Sequence, residues 1–139
     1  MNNHCSKGLN LQDRGKEPII FNIDNATKKN VNFRTAFWTG EHLQLTLMSI
    51  KPGGEIGLEC HEDTDQFLRI ESGIALVKMG KDKNNLSYQR KADKNFAIIV
   101  PAGTWHNIIN IGNIPLKIYS IYAPPHHPFG TVEHLPSKH

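Results

Sequence analysis

Apolar positions along this chain fall in short runs of period two, each closed by glycine, proline or asparagine. The clearest run is Leu43-Gln44-Leu45-Thr46-Leu47-Met48-Ser49-Ile50, whose alternation predicts a strand. Lys51-Pro52-Gly53-Gly54 then reads as a turn. A short first strand is predicted over Ile19-Ile20-Phe21-Asn22-Ile23, and further strands near 56–61, 66–71, 74–79, 86–91, 96–100, 106–111 and 116–122. Glu71-Ser72-Gly73, the polar stretch 81–85 and Ile111-Gly112-Asn113-Ile114-Pro115 supply turns between them. No helical period of useful length, internal repeat or low-complexity segment is visible. About eight to ten short strands at near-regular spacing predict an all-β sandwich or barrel. It is expected to span 19–123, after a loose polar arm (1–18) and before a Pro- and His-rich tail (124–139) that stays outside it.

Composition narrows the class. A chain of 139 residues fits one domain with a substantial core. The net charge is +3, but its lysines are scattered through turn-like segments, which argues for a solvated surface and against a nucleic-acid partner. No apolar stretch approaches the length of a membrane span, so no membrane partner is expected. Met1-Asn2-Asn3-His4-Cys5-Ser6 lacks the apolar core of a signal peptide, and a cytoplasmic location is expected. Two cysteines, Cys5 and Cys60, suggest no disulfide framework.

The candidate chemistry sits in two segments. Pro101-Ala102-Gly103-Thr104-Trp105-His106 follows the apolar run Phe96–Val100, so a proline-glycine turn aims His106 from the start of a new strand. About 40 residues earlier lies Glu59-Cys60-His61, followed by Gln66. Strand side chains alternate faces, so Glu59 and His61 are expected on one face, with Cys60 on the other as a buried structural thiol. The turn 62–65 carries Gln66 to the neighbouring strand, and His106 must arrive from a distant one. Glu59, His61, Gln66 and His106 are the expected ligands of one metal ion. Two histidines and one carboxylate are the set used by non-heme iron oxygenases.

Both segments resemble the two motifs of the cupin family. The first family motif, G-x5-H-x-H-x3/4-E-x6-G, corresponds to Gly53, Glu59, His61, Gln66 and Gly73 with every spacing kept. The second, G-x5-P-x-G-x2-H-x3-N, corresponds to Asn95, Pro101, Gly103, His106 and Asn110. Three positions depart from the pattern. Glu59 stands where the family has its first histidine, Gln66 where it has its glutamate, and Asn95 replaces a glycine. Asparagine tolerates the left-handed turn, so the last change is mild. The other two move the carboxylate from one ligand slot to another.

The resemblance implies a double-stranded β-helix (jelly-roll) barrel holding one divalent metal ion: iron, manganese, nickel or zinc. It implies action on a small organic molecule, with dioxygenation leading. Isomerase or lyase chemistry on a sugar-derived or keto compound, or ligand binding without turnover, are the alternatives. It also implies a homodimer formed by strand pairing. Outside the motifs, His126 and His127 are expected in an exposed tail, and Asn110 as an anchor for a turn or backbone group. Trp105 has the opposite parity to His106, and at most one of Tyr119 and Tyr122 can face the pocket. No nucleophile elbow, phosphate loop, CxxC pair or heme signature is present.

Overall fold

The structure, a computed structural model, describes residues 11–136. Cys5 and the first part of the expected arm lie outside these residues. Nine strands and one helix are found among them: α1 (Ile23–Lys29), β1 (Arg34–Thr39), β2 (Gln44–Ile50), β3 (Asp65–Ser72), β4 (Ala75–Gly80), β5 (Tyr88–Ala92), β6 (Ala97–Val100), β7 (Trp105–Asn110), β8 (Leu116–Ala123) and β9 (Val132–Glu133). One sheet has the order β6-β3-β8-β2-β1-β9 and the other β5-β4-β7, all pairings antiparallel. The two sheets enclose a core that includes Met48, Leu68, Ile70, Ile98, Ile108 and Ile118. This is the all-β jelly-roll expected of the chain.

The outer face of the larger sheet is covered as well. Phe37, Leu45, Leu47 and Tyr119 bury against Ala26 of α1, with Ile19, Phe21 and Ile23 packed around them. Residues 19–23 are therefore not the strand their β-branched composition predicts: they lead into α1, which begins at Ile23. Asn22 caps the helix by accepting from the Asn25 N–H at 2.9 Å. Asp24 and Lys28 pair across one turn at 3.1 Å. A helix of seven residues shows too few turns for its period to appear in the sequence.

Two further differences bear on the site. The expected strand at 56–61 forms only isolated bridges, Glu55 with Ile109 and Glu59 with His106. Four steps on one side match three on the other, so the extra residue bulges out. Gly57, at φ 104°, takes up this bulge, and its N–H donates to Asn107 Oδ1 at 2.9 Å. The described part of the expected tail, 124–136, lies against the barrel: β9 pairs with β1, and Glu133 forms an ion pair with the buried Arg34. Elsewhere the turn chemistry works as read. Asn95 adopts φ 74°, and its Oδ1 accepts from Arg69 at 2.7 Å.

Candidate metal centre

The bridge between Glu59 and His106 sets the site. Each backbone N–H of this pair donates to the other's carbonyl, at 3.0 and 2.9 Å. Directly opposed residues share a face, so both side chains point into the barrel. Period two then turns His61 the same way. The loop carrying Gly103 is tied down by its N–H, which donates to the His61 carbonyl at 2.8 Å. The proline-glycine turn and the first motif are thus joined through backbone, independently of the side chains they present.

The three side chains converge. One candidate ligand atom from each of Glu59, His61 and His106 lies within 4.8 Å of the other two. Glu59 Oε1 is 3.4 Å from His61 Nε2 and 3.6 Å from His106 Nε2. Both ring nitrogens are buried and lack a partner with hydrogen-bond geometry. A buried polar atom left this way is costly unless something else occupies it. His106 Nδ1 lies 3.0 Å from the Thr104 carbonyl, which fixes the tautomer with Nδ1 as donor and leaves the Nε2 lone pair facing the cluster. Burial by itself would raise the Glu59 carboxyl. The two imidazoles 3.4 and 3.6 Å away outweigh it wherever they carry a proton toward the carboxylate, and hold Glu59 well below the usual carboxylate range. A carboxylate beside two buried, unpartnered ring nitrogens fits a divalent cation, which would take both nitrogens and one carboxylate oxygen.

Gln66 belongs to the same interior. It pairs with Tyr122 across β3 and β8, so the two side chains share a face, and the Tyr122 ring lies 5.9 Å from that of His61. Gln66 Nε2 donates to Ser120 Oγ at 2.8 Å, leaving Oε1 buried with no hydrogen-bond partner among the described residues. Tyr122 is the tyrosine that faces inward, while Tyr119 packs in the outer cluster. Asn110 anchors backbone as expected: its Nδ2 donates to the carbonyls of Ile50 and Ile114, and its Oδ1 accepts from Gly112. Cys60 points away from the cluster, but it is half-buried beside Glu62, not enclosed as a structural thiol, because the 59–61 segment runs at the barrel rim. Trp105 faces out, under Lys83.

The chain's most informative surprise is His126. Its ring lies tilted against that of His61 with centroids 4.1 Å apart, and His127 lies against Tyr122, with Nε2 3.3 Å from the hydroxyl. An exposed tail is the ordinary expectation for Pro124-Pro125-His126-His127-Pro128; His126 is indeed exposed and His127 half-buried, but the buried amide of Gln44 ties the segment to the barrel. Gln44 Oε1 accepts from the N–H groups of His126 and His127 at 3.1 and 2.8 Å, while its Nε2 donates to the His127 carbonyl at 2.8 Å. Burial, together with Arg34 nearby, pushes His127 down to about 3. The segment therefore places one imidazole against the Glu59–His61–His106 cluster and keeps another neutral beside Tyr122. The only sequence signal for this was the paired histidines themselves, which carry no register.

Comparison with known proteins agrees with this geometry. The family model for the cupin domain matches residues 46–122. A Bacillus subtilis protein, the uncharacterized YrkC, is 61% identical over 126 residues, covering 91% of this chain and 68% of its own length. An uncharacterized mimivirus protein, L612, is 42% identical across 82% of this chain and 70% of its own. The crystal structure of BH2720 from Bacillus halodurans superposes with a TM-score of 0.88 at 56% identity, covering 88% of this chain and 93% of that one.

Proposed function

This chain belongs to the cupin family, and from that premise we propose that it holds one divalent metal ion on Glu59, His61 and His106 and uses it on a small organic molecule. The observation that carries the reading is the pair of buried, unpartnered Nε2 atoms flanking an ionised Glu59. Two imidazoles and one carboxylate are the donor set of non-heme iron oxygenases, so the leading reaction is dioxygenation. A metal bound there would supply Lewis acidity and open positions for substrate and oxygen. The chain supplies the rest. Thr104 orients His106, Ser120 holds Gln66 with its Oε1 free to accept, and His126 lies against the His61 ring. Iron is the proposed metal, ahead of manganese, nickel and zinc, and the proposed setting is a cytoplasmic homodimer.

A second reading is favoured by one observation. The His126 ring beside His61 is a candidate base that is not one of the three clustered ligands, and isomerase or lyase chemistry on a keto compound needs such a group. Oxygen uptake by iron-loaded protein, measured across enols, thiols, diketones and phenols, separates the two. Uptake with one class supports dioxygenation. Solvent deuterium entering a keto substrate without oxygen uptake supports the second reading. Failure of the purified protein to bind any divalent metal sinks both.

A further inference from the structure

The barrel has a second opening, away from the ligands. β6 is one edge of the larger sheet and β5 one edge of the smaller, and a cavity of about 350 Å³ lies between them. That volume is within the range of small-molecule sites. Its floor is Val77 and Ile98, both core residues, and its walls include Met79, Tyr88 and Phe96. Arg90 stands at the rim, its guanidinium 5.8 Å from the centre of the Phe96 ring. Arg90 has no carboxylate partner among the described residues.

The register connects this cavity to the cluster. Tyr88 lies opposite Met79, Met79 opposite His106, and His106 opposite Glu59. These four side chains form one row across the inner face of the smaller sheet. Tyr88 and His106 are two strand spacings apart, about 10 Å. Met79 is the only residue of the row between them, and an unbranched thioether can move aside.

We propose that this cavity binds a small amphipathic carboxylate, its anion at Arg90, its apolar body along Val77, Ile98 and Met79, and its far end toward the metal cluster. The far end's direction rests on the metal-centre reading; the binding itself does not. Charge complementarity selects the anion, since Arg90 is the unpaired cation on the rim. Continuity with the His106 row selects a small molecule over a partner's strand, which would cover the edges without entering. A chain of about eight carbons spans the two strand spacings, so octanoate is the probe.

Calorimetric titration of the full-length protein tests this, first after chelation and then loaded with Co(II). Octanoate is expected to bind in both states, roughly tenfold tighter than octanol, and Arg90→Gln is expected to remove that preference. Arg90 is exposed, so this variant leaves the core intact. In the Co(II) protein, the terminal methyl protons of octanoate should broaden more than those beside the carboxylate. Equal binding of octanoate and octanol, no effect of Arg90→Gln, or the reverse order of broadening would overturn the proposal. So would a dimer that Ile99→Lys dissociates while octanoate fails to bind. Octanoate binding without Co(II) uptake leaves the cavity standing and removes the metal centre, whereas Co(II) uptake without octanoate binding does the opposite.

Discussion

Gln44→Leu tests whether the C-terminal segment is held where it lies. Gln44 is fully buried, and its side chain makes three hydrogen bonds to His126 and His127 and a fourth to Thr39 Oγ1 at 2.9 Å. Leucine keeps the buried hydrocarbon and removes all four. If the segment stayed docked, each stranded group would cost about 1–3 kcal/mol. The segment is exposed on its outer side, so undocking is cheaper: its own N–H and carbonyl groups regain water. The net loss is then about 1 kcal/mol per bond for three bonds, or about 3 kcal/mol. For a domain of this size that lowers Tm by roughly 10 °C. Hydrogen exchange localises the effect. The amides of His126 and His127 should lose protection, while those of β2 and β8 keep it. Without the His126 ring above it, His61 opens to solvent, so metal should associate faster in stopped flow. Protected amides at His126 and His127 in the leucine variant, with Tm within a degree of wild type, would refute the anchoring role.

Three further outcomes are expected. His61→Ala and His106→Ala each remove one of two imidazoles and should lower metal affinity by more than about a hundredfold by competition titration, with the fold intact by circular dichroism. Metal affinity should fall on acidification with a slope approaching about two decades per pH unit, since each imidazole must lose a proton to bind. Glu59 does not add a third proton. Its folded-state carboxyl is depressed from 4.5, so it is ionised above that pH, and its stabilising contribution is present above about pH 4.5 and lost only as pH falls through the depressed value. A slope of three in competition titrations would contradict this. Asn110→Ala breaks three bonds of a buried amide and should cost about 3 kcal/mol in urea unfolding, with no change in metal stoichiometry.

Local patterns made most of this fold legible, and contacts between distant residues hid the rest. β2, β3, β4, β6, β7 and β8 follow from alternation bounded by turns, because each is read from its own residues. β1 escaped because Arg34, Thr35 and Thr39 break the apolar pattern that marks a strand. Arg34 is nevertheless buried, by an ion pair with Glu133 that lies 99 positions away. The His126 segment escaped for the same reason: Gln44 is 82 positions from it. The cluster of Glu59, His61 and His106 was legible because period two fixes Glu59 with His61, and the second motif fixes His106. The bulge at Gly57 did not upset this parity, because it lies before Glu59 and leaves the 59–61 step intact.

The same strands build both core and site, and position along each strand decides which. On β2 the inward residues run from Gln44 and Thr46 to Met48 and Ile50; on β8, from Tyr122 and Ser120 to Ile118 and Leu116; on β3, from Gln66 to Leu68 and Ile70. Reading across the register, one end of the barrel is polar and the other apolar. The apolar end supplies the burial that closes the two sheets on each other. The polar end can then hold Glu59, His61 and His106 in a fixed, partly dry arrangement that hydrophobic packing would not tolerate on its own. This division also accounts for the relocated carboxylate. At position 66 a glutamate would face Ser120 and Tyr122, and no imidazole is hydrogen-bonded to the side chain there. At position 59 it lies between two imidazoles that favour its ionised form, so one carboxylate can serve as the proposed metal ligand while Gln66 stands on the inner face without a second buried charge.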